Sequence, residues 1–579
     1  MKTIVHMFVW MVLGEKLCNM ITIKYKPNDL RYIFLISDTP KEMVDLEKYL
    51  NKIPPYQFLP SYAGAIKPTV FLNKFKTQTG QVIYYCHSGL WKTIYDWCKE
   101  SNIEVQGIDN YFKYNNFTLT LEQFTEYVTK WGLNITPRDY QIKAAWMILK
   151  YRQSLSQLAT RAGKTLIAYI VFRYMLENGA KKILMVVPSI QLVKQGVQDM
   201  SEYKEFFKSE QVWAKSELCQ SANLTIGTYQ SLVKMADKKS NKYNPKFFDD
   251  YDVINIDEAH HLVAKSINTI LGLDFMKNVK LKFGFTGTLP EEHTIESFCC
   301  HSLMGPTIQD LTSAELIDEG FLAKPIITQM RIEYPLNDDL VNQYIECGEY
   351  LNSNYKLDDG KKIMLPKDQR SFTMVHQKEL PFALKSIKNL YEPREYMQYL
   401  VDLCKSKGSN LLMLEQMLVH RSQKRLDVME NILKGLNKNC IVFAHHTEYL
   451  SFLEEYFKKK FPDRIIYSIK GSTNLKKRQK VIDEMLENNN VILFASYGCC
   501  STGLTFKNVD YGIFAQSFKS EIVNKQSLGR LLLRNEEKDE CYLYDIVDYF
   551  PTKRIYVQGL SKEKLYKKEG HEYYIRKIK

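Results

Sequence analysis

Apolar positions along this chain of 579 residues cluster into short runs, and the runs repeat a strand-then-helix rhythm twice. Lys182–Val187 (KILMVV) is a β-rich apolar run stopped by Pro188. Tyr251–Ile256 (YDVINI) and Leu281–Phe285 (LKFGF) have the same form, with helical segments between them. Runs apolar on both faces and alternating with helices predict buried parallel strands, an open α/β sheet. After an interruption the rhythm returns in Cys440–Ala444 (CIVFA), Val491–Ala495 (VILFA), Gly512–Ala515 (GIFA) and Cys541–Ile546 (CYLYDI). Helices such as Arg478–Leu486 fall among them, so a second sheet is expected over 411–550.

Ahead of the first sheet, residues 21–120 alternate apolar with polar and are rich in aromatics. Tyr32–Ser37 and Gln81–Tyr85 read as strands. Gly89–Lys99 reads as an amphipathic helix with Leu90, Ile94, Trp97 and Cys98 on one face. This is a small α+β domain. Trp91, Tyr84, Tyr85 and nearby lysines read either as core, the commoner fate of such residues, or as a surface that stacks on nucleic acid. Thr3–Leu13 is apolar but too short to span a bilayer. It reads as a signal-peptide core, for which Gly14-Glu15-Lys16 is a poor cleavage region, or as a leader upstream of a true start at Met20. Residues 331–410 carry turn signals and helical patches such as Leu384–Leu403, as a connector or insertion would. The end, 551–579, has nine Lys/Arg against three Asp/Glu, with Tyr566, Tyr573 and Tyr574 interleaved. That is a solvated basic tail or a nucleic-acid contact. The expected divisions are therefore 1–20, 21–120, 121–330, 331–410, 411–550 and 551–579.

Composition narrows the class. The chain is 45% hydrophobic and 25% charged, as folded globular domains are. Its net charge, 79 − 66 = +13, favours a polyanionic partner, nucleic acid first. None of the twelve cysteines forms a CxxC, and the pairs Cys299-Cys300 and Cys499-Cys500 cannot make an ordinary zinc knuckle. Reduced thiols in a cytoplasmic protein are expected.

Leu158–Thr165 (LATRAGKT) lies between a polar, turn-like run and the apolar segment Leu166–Leu176. Read as strand, glycine loop and helix, it is a phosphate cradle in which backbone N–H groups and a helix N-terminus face a polyphosphate. Lys164 would reach the β/γ-phosphates and the Thr165 hydroxyl would ligate Mg²⁺. The match to GxxxxGK[ST] is incomplete, since Leu158 stands at the first glycine position. Asp257-Glu258-Ala259-His260 directly follows the strand YDVINI. Ligands of open parallel sheets bind beyond the strands' carboxyl ends, so this segment belongs at the same rim as Lys164. Asp257 suits Mg²⁺ held through water, and Glu258 is placed to orient or deprotonate an attacking water. His260 would link the site to Thr286-Gly287-Thr288, whose hydroxyls would relay nucleotide state. In the second sheet region, Gln526–Arg534 (QSLGRLLLR) carries Arg530 and Arg534, four apart and thus on one face of a helix. Arginine suits charge stabilisation on a transferring γ-phosphoryl group, and one supplied from a second domain would make hydrolysis depend on closure.

In order and spacing these residues resemble the motif set of the superfamily 2 helicases, over about 136–550. Arg138-Asp139-Tyr140-Gln141 resembles the adenine-reading Q motif, with Gln141 23 residues before Lys164. The resemblance assigns Thr160, Ala162, Gly163, Lys164 and Thr165 to the nucleotide, and a loop without the first glycine is a variant within that superfamily. Pro188 and Ser189, with Leu192 and Gln195, resemble strand-contacting motif Ia; Ile226–Gln230, with Gly227 and Thr228, resembles motif Ib. Asp257–His260 is similar to a DEAH box and Thr286–Thr288 to motif III, with His260, Thr286 and Thr288 as the coupling residues. Ile441–His445 resembles motif IV, with His445 at the strand. Ser501-Thr502-Gly503-Leu504 resembles motif V, with Gly503 at the nucleotide and the hydroxyls of Ser501 and Thr502 at the backbone. Gln526–Arg534 resembles motif VI, which adds Gln526 to the catalytic set. One departure stands out: the family's spacing puts the second arginine at 533, where Leu533 stands, so Arg534 would substitute from the same helix face.

The resemblance implies two tandem RecA-like parallel-sheet α/β domains behind a small N-terminal α+β domain, with ATP and Mg²⁺ as cofactors. Within the superfamily the likeness is greatest to the UvsW group of phage recombination helicases. Gly80–Trp91 (GQVIYYCHSGLW) is similar to that group's N-terminal substrate-recognition domain, a strand and then a Ser-Gly-Leu helix start. The group implies ATP-driven unwinding and annealing of branched DNA: fork regression, Holliday-junction migration and R-loop removal, where RNA is met as well. A monomer in the cytoplasm, that of a host if phage-encoded, and no membrane partner go with this. Other readings stay open. An RNA helicase could use the same core, since both nucleic acids are gripped by phosphate. A restriction-system translocase subunit would need a nuclease or methylase partner, and no PD-(D/E)xK-like pattern stands out. Lys164, Asp257, Glu258 and Arg530 argue against a non-hydrolysing scaffold.

Overall fold

The computed structural model describes residues 20–51, 69–108, 117–213, 221–263, 269–340, 416 and 419–579, less 27–28, 38, 79, 81, 336–337, 502–505, 507, 519, 535–537 and 551–553. The leader before Met20 and the segment Leu384–Leu403 lie outside the described residues. The chain divides into two compact units, 1–316 and 317–579.

The first unit opens with β1 (Met20–Lys26), β2 (Asp29–Ser37), α1 (Pro40–Leu50), β3 (Asn73–Lys76), β4 (Val82–His87), α2 (Trp91–Glu100) and β5 (Glu104–Gln106). They form a mixed sheet ordered β3-β4-β2-β1-β5, in which β5 runs parallel to β1 and the other pairs are antiparallel. Strand alternation decides which face is buried. Ile21, Ile23, Ile33, Leu35 and Cys86 enter a core with Leu46, Ile94 and Cys98 from the two helices. Trp91 is buried there and Tyr84 packs against it, so both are core. Tyr85 faces the other way.

A 3-10 turn, Ser88–Leu90, ties this module to the next sheet. Ser88 Oγ donates to Leu30 O at 2.8 Å and accepts from Gln153 Nε2 at 2.7 Å. A Cβ on Gly89 would stand 2.1 Å from the His301 carbonyl oxygen, so this approach requires glycine. Phe298 completes the module's core from across the joint.

The second sheet of this unit comprises β6 (Gln153–Leu158), β7 (Lys182–Val187), β8 (Ser209–Val212), β9 (Leu224–Thr228), β10 (Tyr251–Ile256), β11 (Leu281–Thr286) and β12 (Thr307–Leu311). Its order is β12-β6-β11-β10-β7-β9-β8 and every pairing is parallel. Its helices include α3 (Asp139–Lys150), α4 (Lys164–Glu177), α5 (Ile190–Tyr203), α6 (Tyr229–Ala236) and α7 (Ile295–Met304). The polar run before the glycine loop, expected to be turn-like, is the interior strand β6. Gln153, Ser154 and Ser156 are buried in it. Its glutamines are met by neighbours, Gln153 Nε2 donating to Ser88 at 2.7 Å and Gln157 Nε2 to Asp310 at 2.8 Å, whereas the hydroxyls of Ser154 and Ser156 are buried without a hydrogen bond.

Near the amino ends of β6 and β11, Lys282 lies among Arg31 and Arg152. Burial and these two guanidiniums lower its pKa from 10.5 to about 7. Between those values the unfolded chain binds more protons than the folded one, so stability rises with pH across that window. We expect the melting temperature of the wild type to climb relative to that of Lys282→Met as the pH is raised from about 7 towards 10. Parallel curves would refute the depressed lysine.

The second unit contains β13 (Lys324–Glu333), β14 (Cys440–Ala444), β15 (Ile465–Ile469), β16 (Val491–Ser496), β17 (Tyr511–Phe514), β18 (Glu540–Tyr549) and β19 (Glu572–Ile578). The order is β15-β16-β14-β17-β18-β13-β19, again with every pairing parallel. Its principal helices are α8 (Gln423–Lys434), α9 (Thr447–Lys460), α10 (Glu521–Leu528) and α11 (Arg554–Lys568). Two expectations are corrected. The first sheet region was expected to run to 330, yet β13 belongs to the second sheet, between β18 and β19. The expected basic tail is α11 and the edge strand β19. Tyr566 is fully buried and donates to Asp545 at 3.1 Å, Lys562 is fully buried on the same carboxylate, and Tyr573 donates to Glu563 at 3.1 Å. Of the three tyrosines Tyr574 alone is exposed. Basic composition hid a segment whose lysine neutralises a core carboxylate. Among the described residues no helix is long and apolar enough to cross a membrane.

Candidate active site

In an all-parallel sheet the carboxyl ends of the strands share one rim, so β6, β7, β9, β10 and β11 deliver their following loops to the same edge. After β6 the chain turns sharply. Ala159 N–H donates to Leu311 O at 2.9 Å and Ala162 N–H to Ala159 O at 3.1 Å. Arg161 and Gly163 take left-handed φ values of 74° and 79°. Gly163 is the N-cap of α4, so Lys164 and Thr165 stand in its first turn, where N–H groups lack helical partners. A Cβ on Gly163 would lie 2.2 Å from Gln141 Nε2. That amide holds the loop: Nε2 donates to Ala162 O at 3.1 Å, and Oε1 accepts from Arg138 N–H at 2.9 Å. Tyr140 OH donates to the same carbonyl at 3.0 Å, and the Arg138 guanidinium donates to the Tyr140 oxygen at 3.2 Å. The start of α3 therefore clamps the glycine loop from behind.

The loop after β11 closes on the same place. A Cβ on Gly287 would be 3.8 Å from Lys164 Nζ and 3.9 Å from Thr160 Oγ1. After β10, Asp257 N–H donates to Val186 O at 2.9 Å. Burial and the adjacent Glu258 carboxylate raise Asp257 to about 6, against the pull of the Lys164 ammonium. Glu258 has φ of 52°, a strained value for a side-chain-bearing residue. Its Oε2 is 3.3 Å from His260 Nδ1, which is 3.0 Å from Thr286 Oγ1. Thr286 donates its own proton to Thr288 O at 2.8 Å and accepts from Thr288 N–H at 3.2 Å. With that hydroxyl proton spent, Nδ1 of His260 must be the protonated nitrogen. Burial lowers His260 to about 4 although Glu258 opposes, so the imidazole is neutral near pH 7. His260, Thr286 and Thr288 are thus hydrogen-bonded in series, while Glu258 Oε2 stands 3.3 Å from the same Nδ1 without a hydrogen bond to it. The donor types at this rim, a hydroxyl on Thr165 and a carboxylate on Asp257, are the hard oxygen ligands that Mg²⁺ takes.

The remaining predicted residues of this unit stand on neighbouring loops. Pro188 ends β7. Ser189 caps α5, accepting from Leu192 N–H at 3.3 Å, and Gln195 bonds Asp199, which burial raises to about 6. Thr228 caps α6, accepting from Ser231 N–H at 3.4 Å and donating to Ser231 Oγ at 3.0 Å. A Cβ on Gly227 would meet Leu232 Cδ1 at 3.0 Å.

In the second unit, the N–H groups of His445 and His446, after β14, both donate to Gln516 Oε1, at 2.8 and 3.1 Å. The His445 ring stacks on Phe518 at 4.6 Å. Gln516 and Phe518 were not anticipated, although they follow an apolar strand as Asp257 does. Below them Arg425 is fully buried. Its guanidinium bonds the Asp548 carboxylate and the Ala515 carbonyl, and its Nε donates to Tyr449 OH at 3.2 Å. Arg425 so fixes the residue before Gln516.

The expectation that Arg530 and Arg534 share a helix face is corrected. α10 ends at Leu528, and the chain turns as Arg530 N–H donates to Ser527 O at 3.2 Å and Leu531 N–H to Leu528 O at 2.8 Å. Leu533 then forms an antiparallel bridge to Leu322. Gln526 and Arg530 are each 8% exposed, whereas Arg534 lies beyond the bridge. Its Nε donates to Asp539 at 2.9 Å and its Nη1 to the Gly320 carbonyl. A Cβ on Gly320, where φ is 73°, would stand 2.7 Å from that Nη1. Ser501 ends the short helix Tyr497–Ser501; Thr502 and Gly503 lie outside the described residues.

Comparison with known proteins follows the same divisions. The family described as type III restriction enzyme, res subunit, matches residues 134–291, and the helicase conserved C-terminal domain matches residues 423–532. The chain is 24% identical over 446 residues to the ATP-dependent DNA helicase uvsW of Enterobacteria phage T4, covering 74% of this chain and 73% of that one. Its similarity to the crystal structure of T4 UvsW has a TM-score of 0.42 at 19% identity, over 96% of this chain and 99% of that one. It is 23% identical over 411 residues to the DNA 3'-5' translocase XPB2 of Sulfurisphaera tokodaii, covering 71% and 81%. The type ISP restriction-modification enzyme LlaBIII bound to DNA shares the fold at a TM-score of 0.51 and 13% identity, over 77% of this chain and 31% of that one.

Proposed function

From the premise that this chain belongs to the superfamily 2 helicases, enzymes that hydrolyse ATP and act on nucleic acid, we propose that its substrate is branched DNA. It would regress forks, migrate Holliday junctions and clear R-loops as a cytoplasmic monomer. DNA is favoured because uvsW is named a DNA helicase and XPB2 a DNA translocase. The observation that carries the reading is the meeting of Lys164, Asp257, Glu258, His260 and Thr286 at one rim.

Each residue then has a stated task. Arg138 and Gln141 contact adenine, and the loop from Thr160 through Ala162 and Gly163 cradles phosphate with backbone N–H groups. Lys164 binds the β/γ-phosphates. Thr165 and Asp257 hold Mg²⁺, which when bound neutralises charge on the phosphate oxygens. Glu258 orients the attacking water and takes its proton. Through neutral His260, a change at that carboxylate reaches Thr286 and Thr288. The family resemblance would give Arg530, with Gln526, the task of stabilising charge on a transferring group, and Gly503 a nucleotide contact. The same resemblance would give Pro188, Ser189, Gln195, Gly227 and Thr228, and separately His445, Ser501 and Thr502, the task of holding a strand by its phosphates without reading sequence. Residues 21–120 serve substrate recognition and 331–410 connect.

Arg530→Ala should abolish ATP turnover. Arg534→Ala should leave turnover close to wild type and lower the melting temperature instead, because its bonds go to Asp539 and Gly320. Equal losses of turnover would return Arg534 to the catalytic set. The reading as a whole is tested by ATPase assays with single-stranded, duplex, forked and four-way DNA beside RNA equivalents. Strongest stimulation by forked and four-way DNA is expected. Stimulation by RNA alone would make this an RNA helicase, and no stimulation by any would reject a nucleic-acid motor.

A further inference from the structure

The N-terminal sheet has a second face that its core does not use. Along β2, Ile33 and Leu35 enter the core while Tyr32 and Phe34 point away; along β4, Cys86 enters and Tyr85 points away. Strand pairing sets Phe34 opposite Tyr85, Phe75 opposite Ile83 and Lys24 opposite Phe34. Tyr32, Phe34, Phe75 and Tyr85 therefore share one side of three adjacent strands. Their rings touch in a series: Phe34 to Phe75 at 6.1 Å, Phe75 to Tyr85 at 5.9 Å, Tyr85 to Tyr32 at 6.1 Å. None belongs to the core cluster, and Phe75 is 43% exposed.

Cations border these rings. Lys26 Nζ is 5.2 Å and the Arg31 guanidinium 5.5 Å from the centre of Tyr32, and Lys24 stands beside Phe34. Asp29 bonds Arg31 at 2.8 and 2.9 Å and pairs with Lys26 at 3.9 Å, and the Arg31 guanidinium also donates to the Gly272 and Leu273 carbonyls, so Lys24 and Lys26 are the cations nearest the open side of the rings. Glu104 lies in the far edge strand β5. Aromatic faces bordered by cations match unpaired bases joined by phosphates. Duplex DNA does not match them, since its base faces are already covered by stacking.

We propose that this face is a stacking platform for the bases of single-stranded DNA. The proposal rests on the nucleic-acid reading above and adds where an unpaired strand is held, and by what contact. The platform's place is fixed within the first unit by the turn at Ser88–Leu90, where Gly89 lies against the backbone of α7 and Ser88 bonds Gln153 at the start of β6. A strand stacked there stands at a set distance from the rim that carries Lys164.

The test uses the full chain and two labelled probes of equal length, oligo-dT and an abasic strand with the same phosphates. Fluorescence anisotropy is followed across a salt series. Stacking contributes about 1–3 kcal/mol per base, so wild type should prefer oligo-dT by about tenfold or more. The doubly substituted Phe75→Ala/Tyr85→Ala protein should lose that preference. Its slope of log K against log salt should match wild type, because the phosphate contacts remain. Equal affinity of wild type for the two probes, a result that needs no variant, overturns the platform and leaves the helicase reading standing. A preference that survives in the variant also overturns it. Failure to bind either probe would overturn both.

Discussion

Lys164→Ala is expected to abolish nucleic-acid-stimulated ATP turnover and to weaken nucleotide binding, whereas Glu258→Gln should abolish turnover with binding retained. The difference follows from the two side chains' positions. Lys164 stands in the first turn of α4, where its ammonium adds to unpartnered N–H groups and meets a polyphosphate directly. Removing it takes away ground-state affinity and charge stabilisation together. As the proposed general base, Glu258 would act only when water attacks. General-base catalysis contributes about 10²- to 10⁴-fold, so Glu258→Gln should lose turnover on that scale. Glutamine has the shape of glutamate and leaves the 3.0 Å bond between His260 and Thr286 in place, so the expected loss is one of chemistry. Steady-state ATPase measurements, paired with titration of a fluorescent ATP analogue, separate the two effects. Undiminished turnover in either variant would sink the assignment of this rim as the active site.

The largest stability effect should come from Arg425→Met. Arg425 and Asp548 are 0% and 1% exposed, and they bond each other inside the second unit. Taking one partner of a buried pair away leaves an uncompensated charge, at a cost of about 3–5 kcal/mol. That is a large share of the marginal stability of a typical domain. Tyr334 OH, 3.2 Å from Asp548, can soften the loss but carries no charge. The Ala515 carbonyl would lose its guanidinium donor too, and the next residue is Gln516, whose Oε1 holds the N–H groups of His445 and His446. A lower urea midpoint should therefore come with weaker DNA binding at the His445 loop. The double change Arg425→Met/Asp548→Leu should recover most of the stability, because replacing both members of a buried pair with apolar groups is close to neutral. A single variant as stable as wild type would refute this account.

What could be read in the chain follows from the range of each interaction. β7, β10 and β14 lie where the apolar runs predicted, since burial on both faces leaves a local signature. The loop from Thr160 to Thr165 and the segment from Asp257 to His260 come to one rim because parallel strands share a direction. β6 gave no such signature. Its serines lie buried inside the sheet, and Gln157 meets a partner, Asp310, 153 residues away. Lys562 likewise looked like part of a solvated tail until Asp545 came to meet it in the core.

The sequence by itself determined the class of chemistry. Glycine at the one position where a Cβ would strike Gln141, a lysine after it, and paired carboxylates at a strand end need only local chain and strand direction. The tertiary structure alone decided which side chains are free to act. Arg534 and Gly320 are 214 residues apart, and their bond removes that arginine from the helix face on which spacing had set it. Tyr84 and Tyr85 are adjacent and both half-buried, yet strand alternation turns one towards the core and the other to the opposite face of the sheet. Contacts between distant residues form when layers pack, and no local pattern along the chain encodes which surfaces will meet.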